Sequence, residues 1–247
     1  MDLKRIEEAS LNAWPALQQL LFDGWILRFA QGYTKRANSV NPLYGCSMVA
    51  EDKIAACERW YTARGLPTIF RLTPFSRPSH LDQILADRGY RKIDPTYVLG
   101  LDLTGCDLSA MPTAELVDEN VDGWIDIFCR LQRSPVQQHQ AHKQILQAIP
   151  ARRFLASLSA SGQAVACGLG VLENGYFGLF DLITYPEQRR KGHGTRLVSG
   201  LLGWAQDNGA AHAYLQVMEE NEPARRLYAP FGFQRAYQYW YRVDATP

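Results

Sequence analysis

A helix–strand–helix–strand unit that occurs twice constrains the fold of this 247-residue chain more than any other feature. In the first copy the predicted elements are a helix over 51–64, a strand over 68–72, a helix over 78–88 and a strand over 90–101. Gly65 and Gly89, which end these helices, are matched 144 and 143 residues later by Gly209 and Gly232. A nearly constant offset indicates an internal duplication, with a chance match of common elements as the alternative. The repeat predicts an α/β (α+β) chain with two similar domains.

A polar, turn-rich stretch separates the two halves, and we place a linker there at 105–112, between domains over 1–104 and 113–247. The predicted elements of the second domain are a strand over 113–118, helices over 121–133 and 135–149, strands over 152–159, 163–172 and 176–184, a helix over 195–208, a strand over 212–217, a short helix after Asn221 and a strand over 231–243. The three central strands alternate with turns, which is typical of an antiparallel meander.

Composition excludes several classes of function. The chain has 26 basic and 25 acidic residues and a net charge of +1, so its overall charge does not favour nucleic acid or an anionic membrane as a partner. Every apolar run is far shorter than the ~20 residues that cross a bilayer, and the N-terminus has no apolar signal core. Cysteines at positions 46, 57, 106, 129 and 167 form no CxxC pair. We therefore expect no metal site and a reducing, cytoplasmic location.

The segment Gln188–Thr195 (QRRKGHGT) lies between a predicted strand and the strongest amphipathic helix. Gly192 and Gly194 allow backbone N–H groups to approach a ligand at a helix N-terminus, where unpaired amides and the helix dipole attract anions. Three basic side chains strengthen this field: Arg189, Arg190 and Lys191. The spacing fits neither the GxxxxGK[ST] loop nor the GxGxxG loop, so we expect a different phosphate-containing ligand, with a solvated basic turn as the alternative.

Two motifs resemble those of the GNAT superfamily of acyl-CoA-dependent N-acyltransferases. Arg189, Gly192 and Gly194 match its R/Q-x-x-G-x-G/A loop. The residues 221–228 (NEPARRLY) and 231–233 (FGF) match its N-x-x-A-x-x-L-Y…G-F segment. With the order of elements, the resemblance covers about half of the chain, and the first half matches only in outline.

The resemblance implies two GNAT-like domains, each a mixed, mostly antiparallel central sheet flanked by helices, with a splayed strand pair in the C-terminal one. It implies acetyl-CoA (coenzyme A) as the cofactor, with its pyrophosphate on the 189–195 amides and its thioester between the strands over 176–184 and 212–217. Asn221 is expected to hydrogen-bond the pantetheine arm. The expected cofactor-binding residues are Leu182, Ile183, Thr184, Arg189, Arg190, Lys191, Gly192, His193, Gly194, Thr195 and Asn221.

Tyr228 is the expected catalytic residue. The family assigns the general acid role to this tyrosine, and with an ordinary pKa near ~10 its phenol is protonated at neutral pH and can donate to the leaving sulfur. The base stays open, because Asp181, Glu219, Glu220 and a water chain all satisfy the positional requirement. Gln216 stands where ribosomal-protein alanine acetyltransferases have a glutamate, which argues against a peptide N-terminus as acceptor.

The resulting hypothesis is an enzyme that transfers an acetyl group from acetyl-CoA to a primary amine of a small molecule or peptide, by direct attack in a ternary complex. The alternatives are an acyltransferase that uses a longer acyl group and a non-catalytic acyl-CoA sensor. Acceptor contacts are expected from Arg130, Arg133, Gln137, Gln138, His139 and His142. The two histidines fit a polar helix face better than a metal site.

The first copy is expected to be degenerate. Its counterpart of the phosphate loop, near Tyr44–Ala50, lacks the glycine pair and the basic residues, so it should not bind coenzyme A. Arg36, Asn38 and Asn41 lie on a polar segment that either reaches the acceptor or forms an ordinary surface loop. Because this copy can cover the active one as a second subunit would, we favour a monomer over a homodimer, with neither nucleic acid nor membrane as a partner.

Overall fold

The structure, a computed structural model, describes residues 1–45, 47–112 and 114–244; Cys46, Thr113 (the first residue of the predicted second domain) and residues 245–247 lie outside the described part. The helices are α1 (Leu3–Ala13), α2 (Ala50–Thr62), α3 (Leu81–Asp87), α4 (Val121–Gln132), α5 (Gln140–Ala148), α6 (His193–Asp207) and α7 (Glu222–Tyr228). The strands are β1 (Gln18–Phe22), β2 (Trp25–Phe29), β3 (Val40–Asn41), β4 (Ile69–Leu72), β5 (Arg91–Asp102), β6 (Val117–Asp118), β7 (Arg152–Ala160), β8 (Gln163–Glu173), β9 (Tyr176–Thr184), β10 (His212–Met218) and β11 (Gln234–Val243).

The chain forms two compact units whose segments interleave along the sequence. The large unit comprises Met1–Ala13, Leu99–Val217 and Asn221–Ala236, and the small unit comprises Trp14–Val98, Met218–Glu220 and the chain from Tyr237 onward. α1 belongs to the large unit, where the Asn12 side chain donates to Glu173 and Ser10 is bonded to Gln216. β5 and β11 each begin in one unit and end in the other. The two units are defined by contacts in space rather than by sequence order, so the predicted domain boundaries at 104 and 113 stay a prediction.

The large unit contains the predicted meander. Its strands lie in the order β10-β9-β8-β7-β6, with antiparallel pairing of β6 to β7, β7 to β8 and β8 to β9 and parallel pairing of β9 to β10. α6 packs on this sheet through Leu197 and Leu201, whose methyl groups lie over Gly168. The indole N–H of Trp124 on α4 donates to the Ala156 carbonyl of β7 at 3.2 Å. This is the mixed, mostly antiparallel sheet with flanking helices that the sequence predicts.

β9 changes direction near its end. Leu169 pairs with Phe180, but Cys167 pairs with Ile183, so β9 carries one extra residue there. Asp181 within this bulge has φ 49°, in the left-handed region. On the other side, the parallel ladder with β10 ends at Leu179–Leu215 although both strands continue beyond it. The two strands therefore separate at this end, as the resemblance implied.

The small unit has its own mixed sheet. Its strands lie in the order β1-β2-β3-β4-β11, antiparallel except for the pairing of β3 with β4. Its core is apolar and rich in aromatic side chains, among them Trp25, Tyr61, Phe70 and Tyr90. Across all the described residues, no helix is both long enough and apolar enough to cross a bilayer.

Four predicted elements begin three or more residues later in the structure, among them the helix predicted over 78–88, which begins at Leu81. The helix predicted over 135–149 begins at Gln140, because Pro135 opens a separate 3₁₀ turn over Val136–His139. The strand predicted over 231–243 begins at Gln234, after a 3₁₀ turn that ends at Gly232 with φ 86°. In the described part of 113–118, only Val117–Asp118 is strand.

Candidate active site

A cavity of about 610 Å³ lies in the large unit at the end of β9. The end of β9, the loop that follows it, the first turn of α6, the helix α7 and the end of α4 contribute to its wall. Tyr228 and all the predicted cofactor-binding residues except Lys191 and Asn221 line this cavity. The sequence therefore identified residues that the fold brings together from separate elements.

The N-terminus of α6 opens into this cavity with its amides available. Gly192 precedes the helix with φ 80°, a conformation that favours glycine, and no described side chain caps this helix end. The first helical hydrogen bond is donated by Arg196 N–H to the Gly192 carbonyl at 3.1 Å. The N–H groups of His193, Gly194 and Thr195 precede that bond and have no helical partner. Such a helix end binds anions.

Charged side chains surround this helix end unevenly. Arg189 Nε donates to the Thr184 carbonyl at 3.4 Å, which keeps its guanidinium beside the end of β9. Lys191 instead donates to the Gln188 side chain at 2.9 Å and lies outside the cavity wall. Burial, with the charges of Arg196 and Lys191, lowers the pKa of His193 from its ordinary value. His193 is therefore a neutral part of the wall at pH 7, and the arginines supply the positive charge.

Tyr228 ends α7 with its ring in the cavity wall. The side chain is 7% exposed and packs edge-on against Phe233 with ring centroids 6.0 Å apart. Burial raises the pKa of the Tyr228 phenol to about 12, so the phenol carries its proton throughout the physiological range. At the other end of α7, the Asn221 side chain accepts from the Ala224 N–H at 3.1 Å and caps the helix. The Asn–Ala pair of the sequence motif thus shapes α7, and Asn221 does not line the cavity.

The three candidate bases have different surroundings. The Asp181 carboxylate accepts from His142 Nε2 of α5 at 2.9 Å. Glu219, in the small unit, is bonded to the hydroxyl of Tyr97 and accepts from the Gln238 amide at 3.0 Å. Glu220 is exposed to solvent. Both oxygens of Glu219 are thus occupied, and Asp181 directly precedes the first residue of β9 that lines the cavity.

The residues that were expected to contact the acceptor differ in burial and in their bonding partners. His142 is fully buried and His139 shares a hydrogen bond with Ser134 at 2.8 Å, so the predicted polar helix face does not describe His142. Arg133 forms an ion pair with Glu187. Among the described residues, no group of three or more His, Cys, Asp or Glu side chains is arranged to hold a metal ion. The sequence did not predict the burial of His142, because two histidines three residues apart are typical of a polar helix face.

In the small unit, the Asp23 side chain binds the segment that the repeat matches to the phosphate loop. The Asp23 carboxylate accepts from the N–H groups of Ser47 and Met48 at 2.9–3.1 Å, directly before α2. These amides hold the pKa of Asp23 well below its usual range. The buried Lys53 ammonium lies 3.2 Å from the same carboxylate. An internal anion occupies these amides, which supports the prediction that this copy does not bind coenzyme A.

The polar segment of the small unit also serves the fold. The Asn38 side chain accepts from the N–H of Ala30 at 2.7 Å and of Gly32 at 3.0 Å, and it donates to two carbonyls. Asn41 is buried, and the guanidinium of Arg36 stacks on Trp14 at 4.8 Å. These contacts give the Asn38 side chain a structural role, and because it is buried, an ordinary surface loop does not describe this residue.

Sequence comparisons find a family and individual proteins that match most of this chain. The family described as "Probable histone acetyltransferase Rv0428c C-terminal" matches residues 1–242. The chain is 32% identical over 250 residues to "Uncharacterized N-acetyltransferase YobR" of Bacillus subtilis (strain 168), covering 98% of both chains. It is 27% identical over 220 residues to "Probable histone acetyltransferase Rv0428c" of Mycobacterium tuberculosis (strain ATCC 25618 / H37Rv), covering 87% of this chain and 66% of that protein.

Solved structures show the same fold at low sequence identity. "GCN5-related N-acetyltransferase from Kribbella flavida" superposes with a TM-score of 0.71 at 16% identity, covering 98% of this chain and 95% of that one. "Tandem GNAT protein from the clavulanic acid biosynthesis pathway (without AcCoA)" superposes with a TM-score of 0.60 at 16% identity, covering 78% of this chain and 69% of that one. A tandem arrangement of this fold is therefore known in another protein.

Proposed function

The chain belongs to the GNAT family of N-acetyltransferases, and on this basis we propose that it transfers an acetyl group from acetyl-CoA to a primary amine of a small molecule or peptide. The amine attacks directly in a ternary complex. One observation carries the proposal: a single cavity joins the uncapped N-terminus of α6 to the phenol of Tyr228. An anion site and a proton donor in one cavity suit a ligand with a pyrophosphate at one end and a reactive thioester at the other.

The cavity wall supports specific roles in binding. The amides of residues 192–195 and the side chains of Arg189 and Arg190 bind the pyrophosphate of acetyl-CoA. Leu182–Thr184, where β9 has left β10, offer backbone groups to the pantetheine arm as an added strand would. A backbone N–H of this segment stabilises the oxyanion that forms at the thioester carbonyl. Acetyl-CoA supplies the activated acyl group, and the protein positions this group for attack by the amine.

The pKa of Tyr228 sets how this residue acts. A free thiol has a pKa near ~8.5, whereas that of Tyr228 is about 12. Complete transfer of the phenol proton to the sulfur would therefore be uphill by roughly 5 kcal/mol. Tyr228 donates a hydrogen bond that stabilises the leaving sulfur, and the proton that finally neutralises the sulfur comes from the attacking amine.

Acetyl-CoA-dependent thiol release tests the proposal. The purified chain is assayed with amino acids, polyamines, aminoglycosides and peptides, and calorimetry measures acetyl-CoA binding in parallel. Thiol release that requires one class of amine, with an acetylated product detected by mass spectrometry, supports the transferase. Release that requires a longer acyl-CoA supports transfer of a longer acyl group.

Two other outcomes contradict the proposal. Tight binding of acetyl-CoA without transfer to any amine indicates an acyl-CoA sensor. Absence of acetyl-CoA binding excludes the role assigned to the cavity.

A further inference from the structure

We propose that Asp181 accepts the proton that the acceptor ammonium must lose before it attacks, and that His142 positions the Asp181 carboxylate for this step. The inference rests on the proposed acetyl transfer and assigns the base that the sequence left open. Asp181 is then a catalytic residue, because it touches the acceptor. His142 is a positioning residue, because it acts through Asp181.

The bulge in β9 places Asp181 beside the cavity. Asp181 has φ 49° at the extra residue of β9, and Leu182, which follows it, is the first residue of β9 in the cavity wall. An aspartate tolerates this conformation better than most residues, yet glycine would adopt it without cost. The fold therefore keeps a carboxylate at a position where the backbone alone would favour glycine.

His142 holds one oxygen of this carboxylate in place. Its Nε2 lies 2.9 Å from Asp181 Oδ2, and because a carboxylate only accepts hydrogen bonds, Nε2 carries the proton. The imidazole packs edge-on against Trp124 and Phe128 of α4, with ring centroids 5.8 Å and 4.7 Å away. The Asp181 carboxylate thus pairs with an imidazole that is packed against two aromatic rings of α4.

Exposure separates the roles of the two residues. The His142 side chain is 0% exposed and cannot meet a substrate, whereas the Asp181 side chain keeps 16% of its surface exposed. α4, which packs on His142, ends in Leu131 and Gln132, and both of these residues line the cavity. The pair thus lies between two elements that contribute to the cavity wall, and of its two side chains only the Asp181 carboxylate keeps exposed surface.

The other titratable groups near Asp181 are weaker candidates. Burial, and secondarily the charge of Asp181, raises the pKa of the Cys167 thiol of β8, which therefore stays protonated. Burial and the neighbouring His142 lower the pKa of His139, while Asp181 opposes this effect. His139 shares a hydrogen bond with Ser134 instead. Asp181 is the carboxylate of this cluster.

The step balances without a further reactant. A proton moves from the acceptor ammonium to an Asp181 oxygen in an uphill step, and the nitrogen lone pair draws this step forward by forming a bond to the thioester carbonyl carbon. The C–S bond breaks, and the sulfur takes the second proton of the attacking nitrogen while Tyr228 donates a hydrogen bond to it. Asp181 finally releases its proton to solvent, so the net products are the amide, the thiol and one proton.

The pH profile of Asp181→Asn distinguishes a base from a structural residue. With the amine identified by the thiol-release assay, kcat/KM of the wild type should be nearly independent of pH between 7 and 9, because Asp181 deprotonates the bound ammonium. Asp181→Asn should lower kcat/KM at pH 7 by on the order of 10²–10⁴-fold. The kcat/KM of Asp181→Asn should then rise about tenfold per pH unit up to the pKa of the amine, because only the free amine reacts in this variant. Asparagine tolerates positive φ, so the bulge is retained.

Two variants of His142 test its positioning role, and a third variant is the control. His142→Phe keeps the packing on Trp124 and loses the donor, so kcat should fall roughly 10–100-fold. His142→Gln restores an N–H donor and should recover part of this loss, with KM for acetyl-CoA unchanged. Asp126→Asn makes the same chemical change on an exposed face of α4 and should leave kcat and the pH profile unchanged.

The outcomes separate this inference from the proposed function. If the wild type transfers acetyl and Asp181→Asn keeps a pH-independent profile, or loses activity equally at every pH, the assignment of Asp181 is wrong and the transferase stands. If His142→Gln is no more active than His142→Phe, the positioning role is wrong. If the wild type binds acetyl-CoA and acetylates no amine, both the transferase and this inference are overturned.

Discussion

Replacing Tyr228 by phenylalanine removes one hydroxyl from the cavity wall and little else. The ring stays packed against Phe233, and the side chain is only 7% exposed, so the fold should tolerate the change within about 1 kcal/mol. A hydrogen bond to a group that gains negative charge is worth about 1.5–3 kcal/mol. At about 1.4 kcal/mol per factor of ten, its loss should lower kcat by roughly 10–150-fold.

Calorimetry and steady-state kinetics together check this value. The Kd of Tyr228→Phe for acetyl-CoA should match that of the wild type, because the hydroxyl acts on the sulfur only as the C–S bond breaks. The pKa of Tyr228, about 12, also predicts that the hydroxyl adds no limb to the pH–rate profile below pH 11. A fall in kcat of less than threefold with an unchanged Kd would refute the role of Tyr228 as donor.

Four further predictions concern the N-terminus of α6 and the amides that precede α2. Gly192→Ala must hold φ 80° with a side chain, so it should lose about 1–2 kcal/mol in urea unfolding and bind acetyl-CoA more weakly in calorimetry. Arg190→Ala should weaken acetyl-CoA binding more at 50 mM than at 500 mM salt, whereas Lys4→Ala on α1 should not; an equal loss at both salts would contradict the electrostatic role. The pKa of Asp23 is held low, so its stabilising effect is complete above its ordinary value of ~3.9 and fades as the pH falls below it. Asp23→Asn should therefore lower Tm at pH 7 and should lower it by less at pH 3. In calorimetry the wild type should bind one acetyl-CoA per chain. Binding of two would show that the small unit binds acetyl-CoA as well.

The parts of the fold that follow local rules could be predicted from the sequence. The turn glycines, the amphipathic pattern of α6 and the start of a short helix after Asn221 each depend on neighbouring residues only, and the structure has all three where they were expected. Gly192 and Tyr228 lie on separate elements, and their placement in one site came from the resemblance of the two motifs to the GNAT family rather than from local rules.

The features that depend on long-range contacts could not be predicted. Asp181 stands out in the sequence as a charged residue in an apolar strand, but the bulge there follows from the pairing of β9 with β8, which no local signal predicts. His142 is buried because α5 packs on α4, which a count of polar residues in 135–149 conceals. The Asn221 Oδ1 accepts from the Ala224 N–H, and the hydrogen bond expected from Asn221 to the pantetheine arm stays a prediction.

A crystal structure of the chain with coenzyme A bound tests the central claim most directly. We expect the pyrophosphate to bind the amides of residues 192–195 and the coenzyme A sulfur to lie within hydrogen-bond distance of the Tyr228 hydroxyl. A pyrophosphate bound elsewhere, or a sulfur that lies beyond the reach of Tyr228, would contradict it.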